Sequence, residues 1–289
     1  MVLERNAYAK VNLHLSVQEK REDGFHELIS LFQLISLSDR IQLTVKEHRD
    51  FQCMIEGTSF VETERNTMYA AAVKFCRVLK RNLSISIRID KRIPSEAGLG
   101  GGSSDAACVL HLLNDALDHP VDGASLQLMA AEIGSDVPFF LSKTSAAIVR
   151  GRGEVIFPIA SRPDLEGLVV LPHLYRVSTR DAFSRLDEKR KNAIPRPLTR
   201  AEIEHIYRLP CSQWTFSNDF LPIIDDPKGM YPVLHRYCRN LDSCFGTLSG
   251  TGSAFCCISS ETASIDALER LIVRDDNNHT LFRIKCLHT

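Results

Sequence analysis

The sequence predicts an α+β fold. Three observations carry that prediction. Strand-like period-2 alternation opens the chain and returns near its end. Stripes of helical period lie between. The two patterns mix without the strict alternation that a doubly wound parallel sheet requires.

The elements follow in order. In residues 7–17, Val11, Leu13, Leu15 and Val17 alternate with Lys10, Asn12, His14 and Ser16. That is a half-buried strand with Lys10, Asn12 and His14 on one face. Asp23-Gly24 marks a turn. Two more strands are expected at residues 28–37 and 41–45. A helix over residues 66–79 places Met68, Ala72, Phe75, Cys76 and Leu79 on one side. Ile85, Ile87 and Ile89 alternate as a strand, and a glycine-rich loop follows. The next helix has the stripe Ala106, Val109, Leu110, Leu113 and Leu117, and a further helix spans residues 125–133. A second half begins between Gly151 and Asp164. Its strands are expected at residues 167–171, around 248, at 254–258 and at 281–286, and its helices at 231–239 and 262–273. Residues 188–200, charged and holding two prolines, read as a surface loop.

Composition narrows the class. The 289 residues suggest two domains at about 150 residues each. With 44% hydrophobic and 25% charged residues the chain is an ordinary globular one, which excludes disordered and collagen-like classes. Thirty-five basic against thirty-six acidic residues argue against a coat for nucleic acid or for an anionic membrane. Nine cysteines without a Cys-x-x-Cys pair read as reduced thiols packed in the core of a cytoplasmic protein. The charged start has no apolar stretch of a signal peptide, and no run of about 18 apolar residues predicts a membrane helix.

The chemistry concentrates at residues 94–105. Strand, then Gly98-Leu99-Gly100-Gly101-Gly102-Ser103-Ser104, then helix is an arrangement suited to anions. Glycine lets backbone approach a ligand, and a helix start offers unpaired N–H groups and a positive dipole end. Ser103 and Ser104 add hydroxyls for phosphate or Mg²⁺. The competing reading is a tight turn with serine as helix N-cap. The loop lacks the Gly-Lys-[Ser/Thr] of a Walker A motif. It also lacks the third glycine of the dinucleotide fingerprint, which argues against an oxidoreductase. Other signals are ambiguous singly. Lys10 on a strand is often a solvated rim residue, Asp136 before Val137-Pro138 can be a plain N-cap, and residues 249–253 can be a plain hairpin turn.

Together these motifs resemble the GHMP kinase superfamily: Ala9-Lys10-Val11-Asn12, then residues 94–107, then Gly134-Ser135-Asp136-Val137-Pro138, then Leu248-Ser249-Gly250-Thr251-Gly252. Residues 23–28 and Phe216-Ser217-Asn218-Asp219 resemble the branch whose acceptor carries a cytidine diphosphate group. The resemblance implies a two-lobed fold. Its N-terminal lobe, residues 1–155, would be ribosomal-S5-domain-2-like and hold nucleotide and catalytic groups. Its C-terminal lobe, residues 156–289, would be ferredoxin-like and lie on the substrate side. It implies ATP with Mg²⁺ as cofactors and phosphorylation of the 2-hydroxyl of a cytidylated methylerythritol, in the non-mevalonate route to isoprenoid precursors. Homoserine, mevalonate or sugar kinases are the alternatives within the class, and an inactive nucleotide-binding regulator lies outside it. By the same resemblance Asp136 would be the base and Lys10 would keep it ionised and offset phosphoryl charge. Asn12 would orient substrate. Pro94, Gly98, Gly100, Gly101, Gly102, Ser103 and Ser104 would wrap the triphosphate, with Asn66 and Lys91 near adenosine. His26 would read the cytosine edge between the rings of Phe25 and Phe183. The family usually shows Tyr at position 25, and a small residue where this chain has Glu96, which is expected to point to solvent. Expected partners are ATP and the small-molecule acceptor, with neither nucleic acid nor membrane, for a monomer or weak homodimer.

Overall fold

A computed structural model describes residues 2–57, 65–173, 178–190, 194–275 and 278–288. The chain divides into two units that interleave in sequence. One comprises Met1–Ala9, Leu37–Ser95 and Gly100–Lys143; the other comprises Lys10–Ser36, Glu96–Leu99 and Thr144–Thr289. Strands β1 (Val2–Lys20) and β2 (His26–Glu47) contribute residues to both.

β2 corrects the expectation of two strands, being one strand of 22 residues. The polar stretch at Ser38, Asp39 and Arg40 reads as a break but stays extended. Arg40 pairs with Asp90 across the sheet, and the buried Asp39 carboxylate accepts hydrogen bonds from Lys91 and from the backbone of Arg92 and Ile93.

In the first unit β3 (Gln52–Glu56) is followed by α1 (Thr67–Leu79) and β4 (Leu83–Asp90). β3 and β4 are parallel, with Cys53 opposite Ile85, and β4 runs antiparallel to the second half of β2, with Ile87 opposite Leu43. A parallel pair needs a crossover, and α1 lies within it. β3 was not anticipated: five residues with alternate positions exposed give little apolar signal. Next come α2 (Gly101–Ala116), α3 (Gly123–Ile133) and the single turn α4 (Val137–Leu141). α1 turns Met68, Ala71, Ala72, Phe75 and Cys76 inward, matching the predicted stripe. α2 is buried well beyond one stripe, from Ser104 through Leu110. These helices share one apolar core with Leu43, Ile85 and Ile87.

In the second unit β5 (Ala146–Gly151) pairs antiparallel with the first half of β2, Ile148 opposite Leu31, and then with β6 (Val155–Pro158). β7 (Glu166–Pro172) leads to α5 (Thr179–Lys189), α6 (Arg200–Arg208) and α7 (Met230–Asn240). β8 (Cys244–Leu248), β9 (Phe255–Ser259), α8 (Thr262–Asp275) and β10 (His279–Lys285) complete the chain. The second sheet has the order β10-β7-β9-β8, antiparallel throughout. With α5 and α6 set aside, the path is strand-helix-strand-strand-helix-strand, the ferredoxin-like arrangement expected for this part. α7 packs on β8, and α8 on β7 and β9. Leu168, Val170, Phe255 and Cys257 meet Tyr231, Leu234, Ile265 and Leu268 in its core. The loop expected at residues 188–200 takes in the end of α5 and the first residue of α6; its residues 191–193 lie outside the described ones. α6 starts at a capping box, Thr199 with Glu202, a signal the prolines obscured. Among the described residues no helix is long and apolar enough to cross a membrane.

All nine cysteines are free thiols, and all but the half-buried Cys53 are buried. Burial pushes the Cys53 thiol up to about 11, and raises Cys256 well above its ordinary value. Thiolate is the reactive form. A thiol-disulfide reagent at about pH 8 is therefore expected to titrate at most about one thiol in the native protein. All nine should react in denaturant. Rapid native reaction of several thiols would contradict this packing.

Candidate active site

β1 departs from the half-buried strand expected of it. Lys10, Asn12 and His14 do share a face, but both faces are buried between residues 9 and 17. Lys10 is 3% and Asn12 2% exposed, so neither is a solvated rim residue. Polar groups buried there need partners. The Asn12 carbonyl oxygen accepts from Lys10 Nζ at 2.5 Å and from the Gly250 N–H at 2.9 Å. Its amide nitrogen donates to Ser30 Oγ at 2.9 Å. Ser30 in turn donates to the His14 carbonyl. The Lys10 ammonium also lies 4.4 Å above the Phe32 ring. His14 Nδ1 lies 3.0 Å from the Ser217 carbonyl, and burial holds its pKa below the usual histidine range. Residues 216–219 thus run beside β1, with Leu15 N–H donating to Ser217 and Val17 N–H to the Asp219 carboxylate.

The turn at residues 249–252 joins β8 to β9, as a hairpin does, and it also makes contacts that a bare turn would not. Ser249 Oγ donates to the Gly98 carbonyl at 2.8 Å and accepts from Asn12 N–H at 3.2 Å. Asn218 donates to the carbonyls of Leu248 and Gly250 at 2.8 Å each. Gly98 has φ +76°, and a Cβ there would stand 2.0 Å from the Ser249 carbonyl oxygen. Glycine is obligatory at this position on both counts. The Lys10 N–H donates to the Leu99 carbonyl. Lys10, Asn12, Gly98 and Ser249 are therefore brought together.

In the first unit α2 starts without a side-chain cap. Gly100, at φ +70°, is its N-cap residue, which removes the reading of a serine-capped turn. Gly101 and Gly102 form the first turn, whose N–H groups have no partner within the helix. Ser104 is buried and donates to the Tyr8 carbonyl at 2.7 Å, so its proton is engaged in the fold. Ser103 is partly exposed, and its hydroxyl lies 3.8 Å from where a Cβ on Gly134 would stand. That sets Ser103 beside the segment carrying Asp136. Asp136 occupies the N-cap position of α4, but its side chain makes no capping hydrogen bond. Asn66 is the N-cap of α1, its carbonyl oxygen accepting from Met68 N–H at 2.9 Å. Lys91 donates to the carboxylates of Asp39 and Asp105. Pro94 is partly buried in the connection from β4 to α2.

The residues expected at the cytosine lie in the second unit. His26 is buried, and its Nε2 lies 2.8 Å from Asp187 Oδ1. The Phe183 ring stacks on His26 with centroids 5.1 Å apart and 24° between planes, and meets Phe220 edge-on. Phe25 is 50% exposed, under the Arg152 guanidinium. Sequence reasoning missed Asp187, Asp39 and Asp105. Asp187 had a signal, since it follows Phe183 by four residues on α5 and so shares its face.

The comparisons with known proteins follow this geometry. A family model described as GHMP kinases N terminal domain matches residues 66–144. A 4-diphosphocytidyl-2-C-methyl-D-erythritol kinase of Treponema pallidum is 34% identical over 264 residues, 87% of this chain and 88% of its own. One from Thermosipho africanus is 43% identical over 192 residues, 65% of this chain and 66% of its own. A crystal structure of 4-(cytidine 5'-diphospho)-2C-methyl-D-erythritol kinase superposes with a TM-score of 0.77 at 29% identity, covering 99% of this chain and 100% of that one. The fold and these motifs define a small-molecule kinase of the GHMP class. Within that class the chain belongs to the 4-diphosphocytidyl-2-C-methyl-D-erythritol kinase family.

Glu96 is exposed, as expected, and takes a left-handed backbone at φ +57°. That conformation costs a non-glycine residue about 1–2 kcal/mol. Glycine would relieve it and lose about 0.4–1 kcal/mol to chain entropy. Glu96→Gly is therefore expected to raise stability in urea by up to about 1 kcal/mol, leaving the KM for ATP unchanged. A large fall in that KM would mean that the carboxylate opposes the triphosphate.

Proposed function

We propose that the protein transfers the γ-phosphoryl group of MgATP to the 2-hydroxyl of 4-diphosphocytidyl-2-C-methyl-D-erythritol. The observation that carries this reading is the 34% identity over 264 residues to a relative of that name. The new bond joins the acceptor oxygen to the γ-phosphorus, the β–γ bridging P–O bond breaks, and ADP leaves. Such transfers pass through a loose transition state, so positioning and electrostatics supply most of the acceleration.

Each residue has a task in this reaction. Asp136, with its carboxylate unused for capping, takes the hydroxyl proton. Lys10 brings a positive charge that offsets charge on the phosphoryl oxygens. Asn12 holds Lys10 at 2.5 Å. Every polar atom of its amide is engaged by protein, so Asn12 positions Lys10 more than it touches substrate. The N–H groups of Gly101 and Gly102, the left-handed glycines 98 and 100 and the Ser103 hydroxyl receive the triphosphate. Mg²⁺ would enter as part of the MgATP substrate and offset charge on its phosphates. Asn66 and Lys91 serve the nucleotide. His26 reads the cytosine, with its ring held by Phe183 and Asp187. Phe25 offers an exposed face, and stacking needs the face, not the phenol that the family usually carries. The buried reduced thiols suit a cytoplasmic setting.

ADP release with Mg-ATP tests the acceptor, with homoserine, mevalonate and galactose run in parallel. Release is expected only with the cytidyl acceptor. Turnover of another acceptor, or of none, would overturn the assignment. Asp136→Ala should lower kcat by about 10²–10⁴ with little change in ATP affinity. Equal losses in both would mark a structural role. His26→Ala should act on the KM for the cytidyl acceptor, and an unchanged KM would remove its base-reading task.

A further inference from the structure

Two buried carboxylates around Lys91 in the first unit have no place in the mechanism above. Asp39, on β2, is fully buried, and Asp105, in the first turns of α2, is 3% exposed. One oxygen of Asp39 accepts the backbone N–H groups of Arg92 at 2.5 Å and Ile93 at 2.8 Å. The other accepts from the Lys91 ammonium. Asp105 Oδ2 accepts from the same ammonium at 2.9 Å, while its Oδ1 is sealed from solvent without a partner among the described residues. Burial pushes the Asp105 carboxyl up to about 7, eased by Lys91 and reinforced by Asp39. For Lys91 burial acts downward, but the two carboxylates prevail and its pKa is raised.

Two buried acids around one ammonium are a poor way to gain stability, since apolar residues of similar volume often do as well or better. The cluster does fix the ammonium in place. A lysine has three N–H donors. Two are taken by the aspartates, which leaves a third on a side chain that is 27% exposed. Gly101 allows this placement. A Cβ there would stand 3.1 Å from Lys91 Nζ and 2.9 Å from Ile93 Cγ2. The ammonium therefore lies against the first residue of α2, where the helix leaves N–H groups unpaired and favours negative charge.

We propose that Asp39 and Asp105 are positioning residues for nucleotide binding, which lock Lys91 against the start of α2 and aim its remaining N–H at the bound nucleoside triphosphate. The proposal rests on the ATP-dependent reading above, and not on the identity of the acceptor.

Calorimetric binding of MgADP tests it without turnover or acceptor. Lys91→Met and Asp39→Asn are each expected to weaken binding about ten-fold, the size of one charge-assisted hydrogen bond. In the Asp39→Asn variant the side-chain oxygen still serves the two backbone N–H groups, while the contact with Lys91 is lost. Because Asp39 acts through Lys91, the double variant should bind no more weakly than about the worse single one. At saturating ATP, kcat should stay within about two-fold for Asp39→Asn. Asp105→Asn carries the same test should Asp39→Asn fail to fold. Additive losses, or a lower melting temperature with unchanged affinity, would overturn the proposal. So would tighter binding, the result of simply removing a negative charge near phosphate. No MgADP binding by the unaltered protein would overturn the ATP reading itself, while a cytidyl acceptor that fails in turnover leaves this measurement intact.

Discussion

The buried side-chain amide of Asn12 is the constraint on which the second unit's site depends. It joins Lys10, Ser30 and the turn at Gly250, while its backbone N–H reaches Ser249. Ser249 then holds Gly98. A buried polar network of this kind has to be complete, because each group left without a partner costs about 1–3 kcal/mol. Completeness is also what gives it geometric value. Lys10 belongs to a strand buried on both faces, where a long flexible side chain would otherwise sample several rotamers. The carbonyl of Asn12 and the ring of Phe32 give its ammonium one position. Preorganised charge of that sort stabilises a transition state without reorganisation at the moment of reaction.

The glycines show the same economy in the backbone. Gly98 and Gly101 are required for different reasons. Gly98 combines a left-handed backbone with direct approach of the Ser249 carbonyl, whereas Gly101 makes room for Lys91 and Ile93. One secures the loop to the turn before β9, and the other admits a cation to the start of α2. A serine-capped helix would have spent the first-turn N–H groups on its own side chain. With Gly100 as the N-cap residue no side chain competes for them, which suits a helix start that receives an anion.

Much of this was legible in the sequence, and the exceptions have physical causes. The helices α1, α2, α3, α7 and α8 and the strands of the ferredoxin-like part carry strong apolar periodicity, and they occur where the pattern puts them. β3 and β6 are short and half exposed, so they lack an apolar signature. The split of β2 into two expected strands came from Asp39, a charged residue that pattern reasoning puts at a break and that tertiary partners allow in a strand. The motif residues could be found, because glycines before a helix and a lysine on a strand are visible locally. Their supports could not. Asp39 and Asp105 meet at Lys91 from positions 52 and 14 residues away, and Ser249 reaches Asn12 across 237 residues. Nothing in the local sequence announces such pairings.

The rings at the expected cytosine site divide their work in a way that composition does not reveal. Phe183 stacks on His26 and touches Phe220 edge-on, so much of its surface is already spent within the protein. Phe25, half exposed, keeps a ring face available beside Arg152. A base that stacks on Phe183 must use the surface not taken by His26, and one that stacks on Phe25 the face away from Arg152. The Nε2 of His26 is engaged by Asp187, which leaves Nδ1 as the ring atom for a base edge. A neutral ring that donates Nε2–H to Asp187 offers Nδ1 as an acceptor. An acceptor matches the exocyclic amino group of cytosine and opposes the carbonyl that uracil carries at the same position. For a His26 that reads the base as proposed, discrimination between the two would run through Asp187.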